Sequence, residues 1–307
     1  MLINHFFSSL SALLLAIIIG ALWRNLVPVA QRVEAGVSIS SKTLLRLGIV
    51  FMGFQLSLQS MLSLGPGVLL VVLCSVMITF LLTAWIGKLL GLELQQRLLI
   101  AIGFSICGAA AVAGAQGSVK AKEHQVATAV GLVVLFGTLM IPALPALSLL
   151  MGLDDRGAGM LIGASTHEVA QVVAAAGSVS ATALSVAVTV KLARVLLLAP
   201  IVAGVGFFMR SKHQVQGLDA PPLVPGFIIG FILAMLVRTS LDLPADILSI
   251  ASLIQTLLLS SAMFALGLGV HLRSIFSKGG KSLLLGLIAT TIIMTVAATG
   301  TMFFAPA

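Results

Sequence analysis

The stretch PGVLLVVLCSVMITFLLTAWIGKLL, residues 66–90, decides the fold class, because no charged side chain interrupts it before Lys88. A helix needs roughly 20 mostly apolar residues to span the hydrocarbon core of a bilayer. Backbone polar groups find no water there, so such a segment must form its hydrogen bonds within its own helix. The sequence therefore predicts a transmembrane helix over residues 66–90.

The rest of the chain has the same character. Hydrophobic residues make up 59% of the sequence and charged residues 8%, with a mean hydropathy of +1.19, whereas soluble domains carry about a quarter charged residues. The short alternating segments of an outer-membrane barrel are absent. We predict an all-α polytopic membrane protein with about ten transmembrane helices in one transmembrane domain over 1–307. The predicted segments are about 9–30, 42–60, 66–90, 97–118, 125–150, 157–177, 182–209, 222–238, 246–271 and 281–304.

The net charge of +8 would suggest a nucleic-acid partner in a soluble protein. In a membrane protein, Lys and Arg concentrate in cytoplasmic loops, so we expect no nucleic acid here. This rule predicts that both termini lie outside the cytoplasm, which is the periplasmic side in a bacterial inner membrane. One side of the predicted topology holds Arg24, Arg32, Lys42, Lys88, Arg97, Arg156, Arg210, Lys212, Arg273, Lys278 and Lys281, and the other holds Lys120, Lys122 and Arg238.

Lys120 and Lys122 do not fit this arrangement. Either the membrane tolerates the two lysines on that side, or segment 97–118 does not cross as a simple helix. In the second case, the segment is a broken or re-entrant helix.

Two pairs of stretches in the chain resemble each other. IGFSICGAAAVAGAQGSV (102–119) matches IGASTHEVAQVVAAAGSV (162–179) at several positions, and GFQLSLQS (53–60) resembles GLGVHLRS (267–274) more faintly. Internal repeats are typical of secondary transporters, although small-residue helices also look alike in a biased composition. If each segment crossed the membrane once, the first two copies would run parallel.

Polar side chains at membrane depth are costly and mark a binding site or a satisfied pair. His167 and Glu168 lie about halfway along segment 157–177, and Lys191 and Arg194 lie inside the next segment. The two cations are three residues apart and share a helical face. A buried ion pair of Glu168 with Lys191 or Arg194 is one interpretation. Such a pair leaves one cation uncompensated, which favours an anionic substrate as the second interpretation.

Small residues mark two places where a spanning helix could unwind. Broken helices expose free N–H groups at half-helix N-termini, which suit anions. Ser105, Gly108, Ser165 and Thr166 would supply hydroxyl and backbone donors. The alternative for both places is close helix packing by small residues. By its sequence context, Cys107 is a small apolar filler rather than a nucleophile.

The pattern His167-Glu168-Val169-Ala170-Gln171 lacks one residue of the helical zinc motif H-E-x-x-H. Gln171, a poor zinc ligand, stands where that motif has its second histidine. His5, His124, His213 and His271 lie in loops or at segment ends. We therefore expect no metal and no cofactor, and an intramembrane metalloprotease is a distant alternative. No P-loop or G-x-S-x-G pattern occurs, so the chain is not predicted to be an enzyme.

Four stretches resemble the signature segments of the YeiH-type family of bacterial inner-membrane proteins, which are largely uncharacterised and named as sulfate exporters. The stretches are LLRLGIVFMGFQLS (44–57), GFSICGAAAVAG (103–114), STHEVAQVVAAAG (165–177) and KLARVLLLAP (191–200). The resemblance implies an antiporter-like or anion-transporter-like bundle of ten or eleven helices, with two repeats and broken helices near mid-membrane. The matching motif residues are Ser105, Cys107, Gly108, His167, Glu168, Gln171, Lys191 and Arg194.

These observations predict a secondary transporter that exports a small anion, either sulfate, sulfite or an organosulfonate. Lys191 and Arg194 would bind the anion, and Glu168 and His167 would exchange protons. The alternative is a non-transporting sensor or partner subunit whose buried charges are structural. Apart from the anion, the expected partner is the lipid bilayer, and a homo-oligomer stays open. The full predicted substrate-binding set is Ser105, Cys107, Gly108, Ser165, Thr166, His167, Gln171, Lys191 and Arg194.

Overall fold

The computed structural model describes residues 12–27, 36–37, 39–213, 225–269 and 280–304, and these contain helices and no strand. A π-helical turn (Ser40–Leu44) precedes α2, and a 3-10 turn (Gly53–Gln55) follows it. The helices are α1 (Ala12–Leu26), α2 (Leu45–Met52), α3 (Leu58–Leu62), α4 (Pro66–Leu89), α5 (Leu94–Ser105), α6 (Ala109–Val119), α7 (Glu123–Leu150), α8 (Asp155–Ser165), α9 (Val169–Gly177), α10 (Ala181–Leu196), α11 (Leu198–His213), α12 (Gly226–Ser240), α13 (Ala245–Gly267) and α14 (Gly280–Phe304).

The helical membrane class predicted from composition is confirmed. Within the described ranges, five helical stretches are long and apolar enough to cross a bilayer, and α12 and most of α1 form shorter apolar helices. The predicted number of about ten crossings is not confirmed. The five stretches are Pro66–Leu89, Glu123–Leu150, Ala181–Ser211, Ala245–Gly267 and Gly280–Phe304.

Side-chain contacts define the two ends of the helix bundle. At one end, which we call the basic end, Lys42 Nζ lies 3.6 Å from Glu123 Oε1, and the ammonium of Lys281 lies beside Gly91. At the opposite end, Arg156 donates to the carbonyl of Leu64 at 3.4 Å. These contacts show at which end each neighbouring helix begins.

Helices α5 and α6 form a hairpin that begins and ends at the basic end, and we call it the first hairpin. Glu93, directly before α5, accepts a 2.7 Å hydrogen bond from Gln125 in the first turn of α7. A Cβ built on Gly103 would lie 2.6 Å from the Val112 side chain, although a straight helix would hold these residues about 13 Å apart. Segment 97–118 is therefore re-entrant, and the simple crossing is wrong.

Helices α8 and α9 form the second hairpin, which begins and ends at the opposite end. Gly159 packs on Ala183, and Gly163 packs on Ala187. This spacing of small residues four apart brings α8 and α10 close together, running in parallel. Because only three residues separate the end of α9 from the start of α10, α9 must return to the end where α8 started.

The two hairpins correct the predicted distribution of basic residues. Lys120 and Lys122 lie beside Glu123 at the basic end, and Arg156 lies at the opposite end. The misfit of the two lysines arose because segment 97–118 was counted as a crossing. Residues Arg32, Arg273, Lys278, His5 and His271, and the side chains of Lys212 and His213, lie outside the described residues, as does most of the faint match at 267–274.

Candidate functional site

The two hairpins break at matching positions of the repeated stretches. Helix α5 ends at Ser105 and α8 at Ser165, and the second arms begin at Ala109 and Val169, in each case sixty residues apart. The three residues between the arms are Ile106-Cys107-Gly108 in the first hairpin and Thr166-His167-Glu168 in the second. The breaks meet inside the protein.

Glu168 is the carboxylate at this meeting point. It is the N-cap residue of α9, and its Oε1 accepts a 3.0 Å hydrogen bond from the backbone N–H of Ala109, the first residue of α6. Its own N–H donates to Gln171 Oε1 at 3.0 Å. The carboxylate therefore lies at the N-terminal ends of two half-helices, where the helix dipoles favour negative charge.

Lys191, on α10, joins the two breaks through backbone carbonyls. Its ammonium donates to the carbonyls of Ile106 at 2.8 Å, Thr166 at 2.7 Å and His167 at 2.7 Å. The side chain is fully buried. An ammonium has three donors, so all of them have a partner.

Arg194, one turn further along α10, is also fully buried and bonds in the same manner. Its Nε–H and one Nη2–H donate to Ser105 O at 3.3 and 2.9 Å, and the other Nη2–H donates to Phe104 O at 3.4 Å. The Nη1 group donates to Gly163 O at 3.1 Å and Thr166 O at 2.8 Å. A guanidinium has five donors, and each one is bonded to a carbonyl.

The ion pair of Glu168 with Lys191 or Arg194 that was one interpretation of the sequence is not formed. In the described part of the chain, Lys42–Glu123 is the one ion pair within 4.0 Å. The carbonyls that hold the two cations lie at the C-terminal ends of α5 and α8, which carry partial negative charge. Backbone carbonyls thus compensate the positive charges of Lys191 and Arg194, for which the sequence suggested Glu168 or an anionic substrate as the partner.

The hydroxyl groups predicted to bind the anion are engaged within their own helices. Ser105 Oγ donates to Ile102 O at 3.4 Å. The hydroxyls of Ser165 and Thr166 donate to carbonyls one turn earlier in α8. These residues surround the breaks as predicted, but in this conformation their hydroxyl hydrogens point along the helices.

His167 and Gln171 each leave a polar atom without a partner. His167 Nε2 shares a 3.1 Å hydrogen bond with Thr290 Oγ1 on α14, and the Thr290 hydroxyl also lies 2.9 Å from Gly286 O. His167 Nδ1 and Gln171 Nε2 have no partner with hydrogen-bond geometry in the described residues. The imidazole also lies against Phe104, with ring centroids 4.5 Å apart.

Thr290 and Phe104 were not identified from the sequence. Thr290 lies among other threonines on an apolar helix, and Phe104 resembles any core aromatic residue. No pattern distinguishes them. The described residues contain no group of three or more His, Cys, Asp and Glu side chains able to hold a metal ion, and Gln171 caps the backbone of Glu168.

The two breaks are buried. Glu168 is 5% exposed and Cys107 6%, whereas Thr166, His167 and both cations are 0% exposed. A cavity of about 390 Å³ opens at the basic end between α1, α6, α7 and α13. Among the residues that line it are Arg24, Lys42, Gln116 and Glu123.

Helix α6 connects this cavity to the break. Gln116 lines the cavity and Ala113, one turn closer to the break, is partly exposed, whereas Ala110, two turns closer, is buried. Helix α6 therefore runs from the cavity to the break, and its turn next to Glu168 is buried.

Comparison with known proteins assigns a family and no activity. A family model described as "Conserved hypothetical protein 698" matches residues 1–286. A UPF0324 membrane protein of Corynebacterium glutamicum is 46% identical, with 98% of this chain and 88% of the relative aligned. UPF0324 membrane proteins of Pseudomonas aeruginosa and Pasteurella multocida are 42% and 38% identical, each over 91% of this chain and 82% and 84% of the relative. No solved structure matches the chain. The family resemblance inferred from the four signature stretches is confirmed.

Proposed function

We propose, from the premise that the chain belongs to the UPF0324 family of membrane proteins, that it is a secondary transporter for a small oxyanion. The observation that carries the proposal is the hydrogen bond from Ala109 N to Glu168 Oε1 at the meeting point of two broken hairpins. This contact holds a carboxylate, deep in an apolar protein, against the N-termini of two half-helices.

The arrangement separates charge in a manner suited to an anion. Lys191 and Arg194 bind the carbonyls at the C-terminal ends of the first arms, so those partial negative charges are neutralised. The N-terminal ends of α6 and α9 keep their partial positive charge toward the centre. We therefore assign Lys191 and Arg194 to holding the breaks together rather than to direct contact with the substrate.

The opposite orientation of the two hairpins supports an inverted repeat. Secondary transporters commonly bind substrate where two inverted repeats meet, and discontinuous helices supply backbone groups to it. The equal sixty-residue offset of both breaks and the inverted course of the hairpins fit this plan. The site would then be reached alternately from the two faces of the membrane.

The substrate class and orientation follow from charge. Sulfate, sulfite and organosulfonates present oxygens to backbone and amide donors and fit the family resemblance. Because Lys and Arg favour the cytoplasmic side, the basic end is assigned to the cytoplasm of a bacterial inner membrane. The cavity at that end would then receive the anion for export. Both termini would lie on the periplasmic side, although the terminal residues themselves lie outside the described ranges.

The competing function is a non-transporting sensor or partner subunit. It is favoured by the complete satisfaction of Lys191 and Arg194 by backbone carbonyls, because such cations could serve structure alone. A measurement of anion transport across a membrane distinguishes the two functions.

The test is transport by purified protein in liposomes. Protein-containing liposomes should accumulate labelled sulfate, sulfite or methanesulfonate faster than protein-free liposomes, and an excess of the unlabelled anion should compete. Thermal unfolding and gel filtration establish that the reconstituted protein is folded. Folded protein that moves none of these anions in either direction would contradict the transporter.

A further inference from the structure

We infer that the carboxylate of Glu168 occupies the position of the transported anion, so that an anion binds only when Glu168 takes up a proton and withdraws. The inference rests on the proposed anion transport. It adds a mechanism of coupling, in which one proton enters the site for each anion bound.

The geometry of the first hairpin shows that the position is built for this carboxylate. A Cβ placed on Gly108 would lie 2.5 Å from Glu168 Cγ and 3.0 Å from its Oε1. Gly108 also has a φ of 78°, which side chains rarely adopt. The residue directly before α6 is thus a glycine whose missing side chain leaves the space that the glutamate fills.

A second observation points to a ligand other than Glu168. Gln171 is fully buried, and its Nε2 has no partner in the described residues although its Oε1 is bonded to Glu168 N. A buried amide donor without an acceptor costs about 1–3 kcal/mol. An oxyanion at the N-terminus of α9 would supply that acceptor, because Gln171 lies in the first turn of this helix.

Glu168 can be replaced without unbalancing the charge of the site. Three titratable groups lie near it: His167 beside it in the chain, Cys107 in the facing break, and Lys191 on α10, with Arg194 one turn further along α10. In the exchange, Oε1 or Oε2 gains one proton, the carboxyl group becomes neutral, and its hydrogen bond to Ala109 N is released to the anion. A monoanion then leaves the total charge unchanged, whereas binding without the proton would place two negative charges together.

A cavity that could supply the exchange lies at the basic end. Helix α6 runs from the break at Ala109 to Gln116, which lines that cavity. We assign the entry of the proton and the anion to this cavity.

The test measures anion binding and proton uptake by the purified full-length protein. Methanesulfonate is a monoanion of constant charge from about pH 5 to 8, and titration calorimetry in buffers of different ionisation enthalpy reports the protons taken up when it binds. We expect the wild-type affinity to rise up to about tenfold for each unit fall in pH, with one proton bound per anion. In Glu168→Gln, which keeps an acceptor oxygen for Ala109 N, binding should be independent of pH and take up no proton.

A matched variant isolates Glu168. Asp246→Asn changes an exposed carboxylate in the first turn of α13, outside the lining of the cavity and the breaks. It should keep the wild-type pH slope. If Glu168→Gln does not fold, Glu168→Ala with added formate replaces it. Formate should then raise the unfolding temperature of Glu168→Ala, since a free carboxylate restores the missing one, and should not raise that of the wild type.

The outcomes distinguish this inference from the proposed function. Anion binding by the wild type without proton uptake, or an unchanged pH slope in Glu168→Gln, would overturn the exchange while leaving anion transport intact. Absence of formate rescue in Glu168→Ala would overturn it equally. Failure of every folded variant to bind any of the anions would remove the transporter together with the exchange.

Discussion

The two hairpins have the same plan and different centres. Each has two short helical arms joined by three residues, and the breaks match at an offset of sixty residues. At the third position of the break, the first hairpin has Gly108 and the second has Glu168. One break contributes backbone groups and empty space, and the other contributes the side chain that fills the space.

This difference shows how two hairpins of similar plan can make unequal contributions to one meeting point. If both breaks carried a glutamate, two carboxylates would meet at the same pair of helix N-termini and repel each other. If both carried glycine, two half-helix N-termini would lie buried without an acceptor. With Gly108 in one break and Glu168 in the other, the carboxylate of the second hairpin accepts a hydrogen bond from the N-terminus of α6 in the first.

The largest expected effect comes from removing the cation that joins the two breaks. Lys191→Met should lower the free energy of unfolding by about 3–5 kcal/mol, because the buried carbonyls of Ile106 and His167 lose their donor and that of Thr166 keeps only Arg194. Lys88→Met, at an exposed position in the last turn of α4, should leave stability unchanged. Thermal and denaturant unfolding in detergent measure both variants. A Lys191→Met protein of wild-type stability that has lost anion binding would restore the direct contact predicted from the sequence.

The next effect tests the difference between the breaks. Gly108→Ala should cost about 2–4 kcal/mol and abolish anion binding, because the methyl group meets Glu168 and the positive φ disfavours a side chain. Gly117→Ala is the matched control on the same helix, since a Cβ there meets nothing within 4 Å. Equal stability of the two variants in the same unfolding assay would mean that Glu168 does not lie over Gly108.

The smallest expected effect concerns the side chain that positions the second break. Thr290→Val removes the partner of His167 Nε2 and should cost about 1 kcal/mol. The neighbouring Thr291 faces outward and bonds only within its own helix at Leu287 O, so Thr291→Val should be neutral. The free energies of unfolding of both variants test this expectation. An unchanged value for Thr290→Val would show that the hydrogen bond to His167 does not contribute to stability.

Local features of the sequence predicted much of the fold and the position of the site. Hydropathy predicted the helical membrane class, and small and polar residues at membrane depth marked both breaks. Periodicity does not show at which end a segment leaves the membrane. That information lies in long-range pairs such as Glu93–Gln125 and Lys42–Glu123, which no local pattern contains.

The composition of the site was predictable and its bonding was not. Ser105, Gly108, His167, Glu168, Gln171, Lys191 and Arg194 do come together around the two breaks. The expected ion pair is absent because a count of side-chain charges omits backbone carbonyls. Those carbonyls become available only when a helix ends inside the protein, which is why the breaks and the cations occur together.

The opposite orientation of the two hairpins is the central claim, and sided labelling of introduced cysteines tests it most directly. In a Cys74→Ser, Cys107→Ala background, Lys120→Cys and Ser178→Cys place a thiol at the far end of each hairpin, with Lys88→Cys and Arg238→Cys as references for the basic and opposite ends. With a membrane-impermeant maleimide applied to intact and to inverted vesicles, Lys120→Cys should react from the same side as Lys88→Cys, and Ser178→Cys from the same side as Arg238→Cys. Reaction of Lys120→Cys from the side of Arg238→Cys would show that segment 97–118 crosses the membrane and would contradict the account.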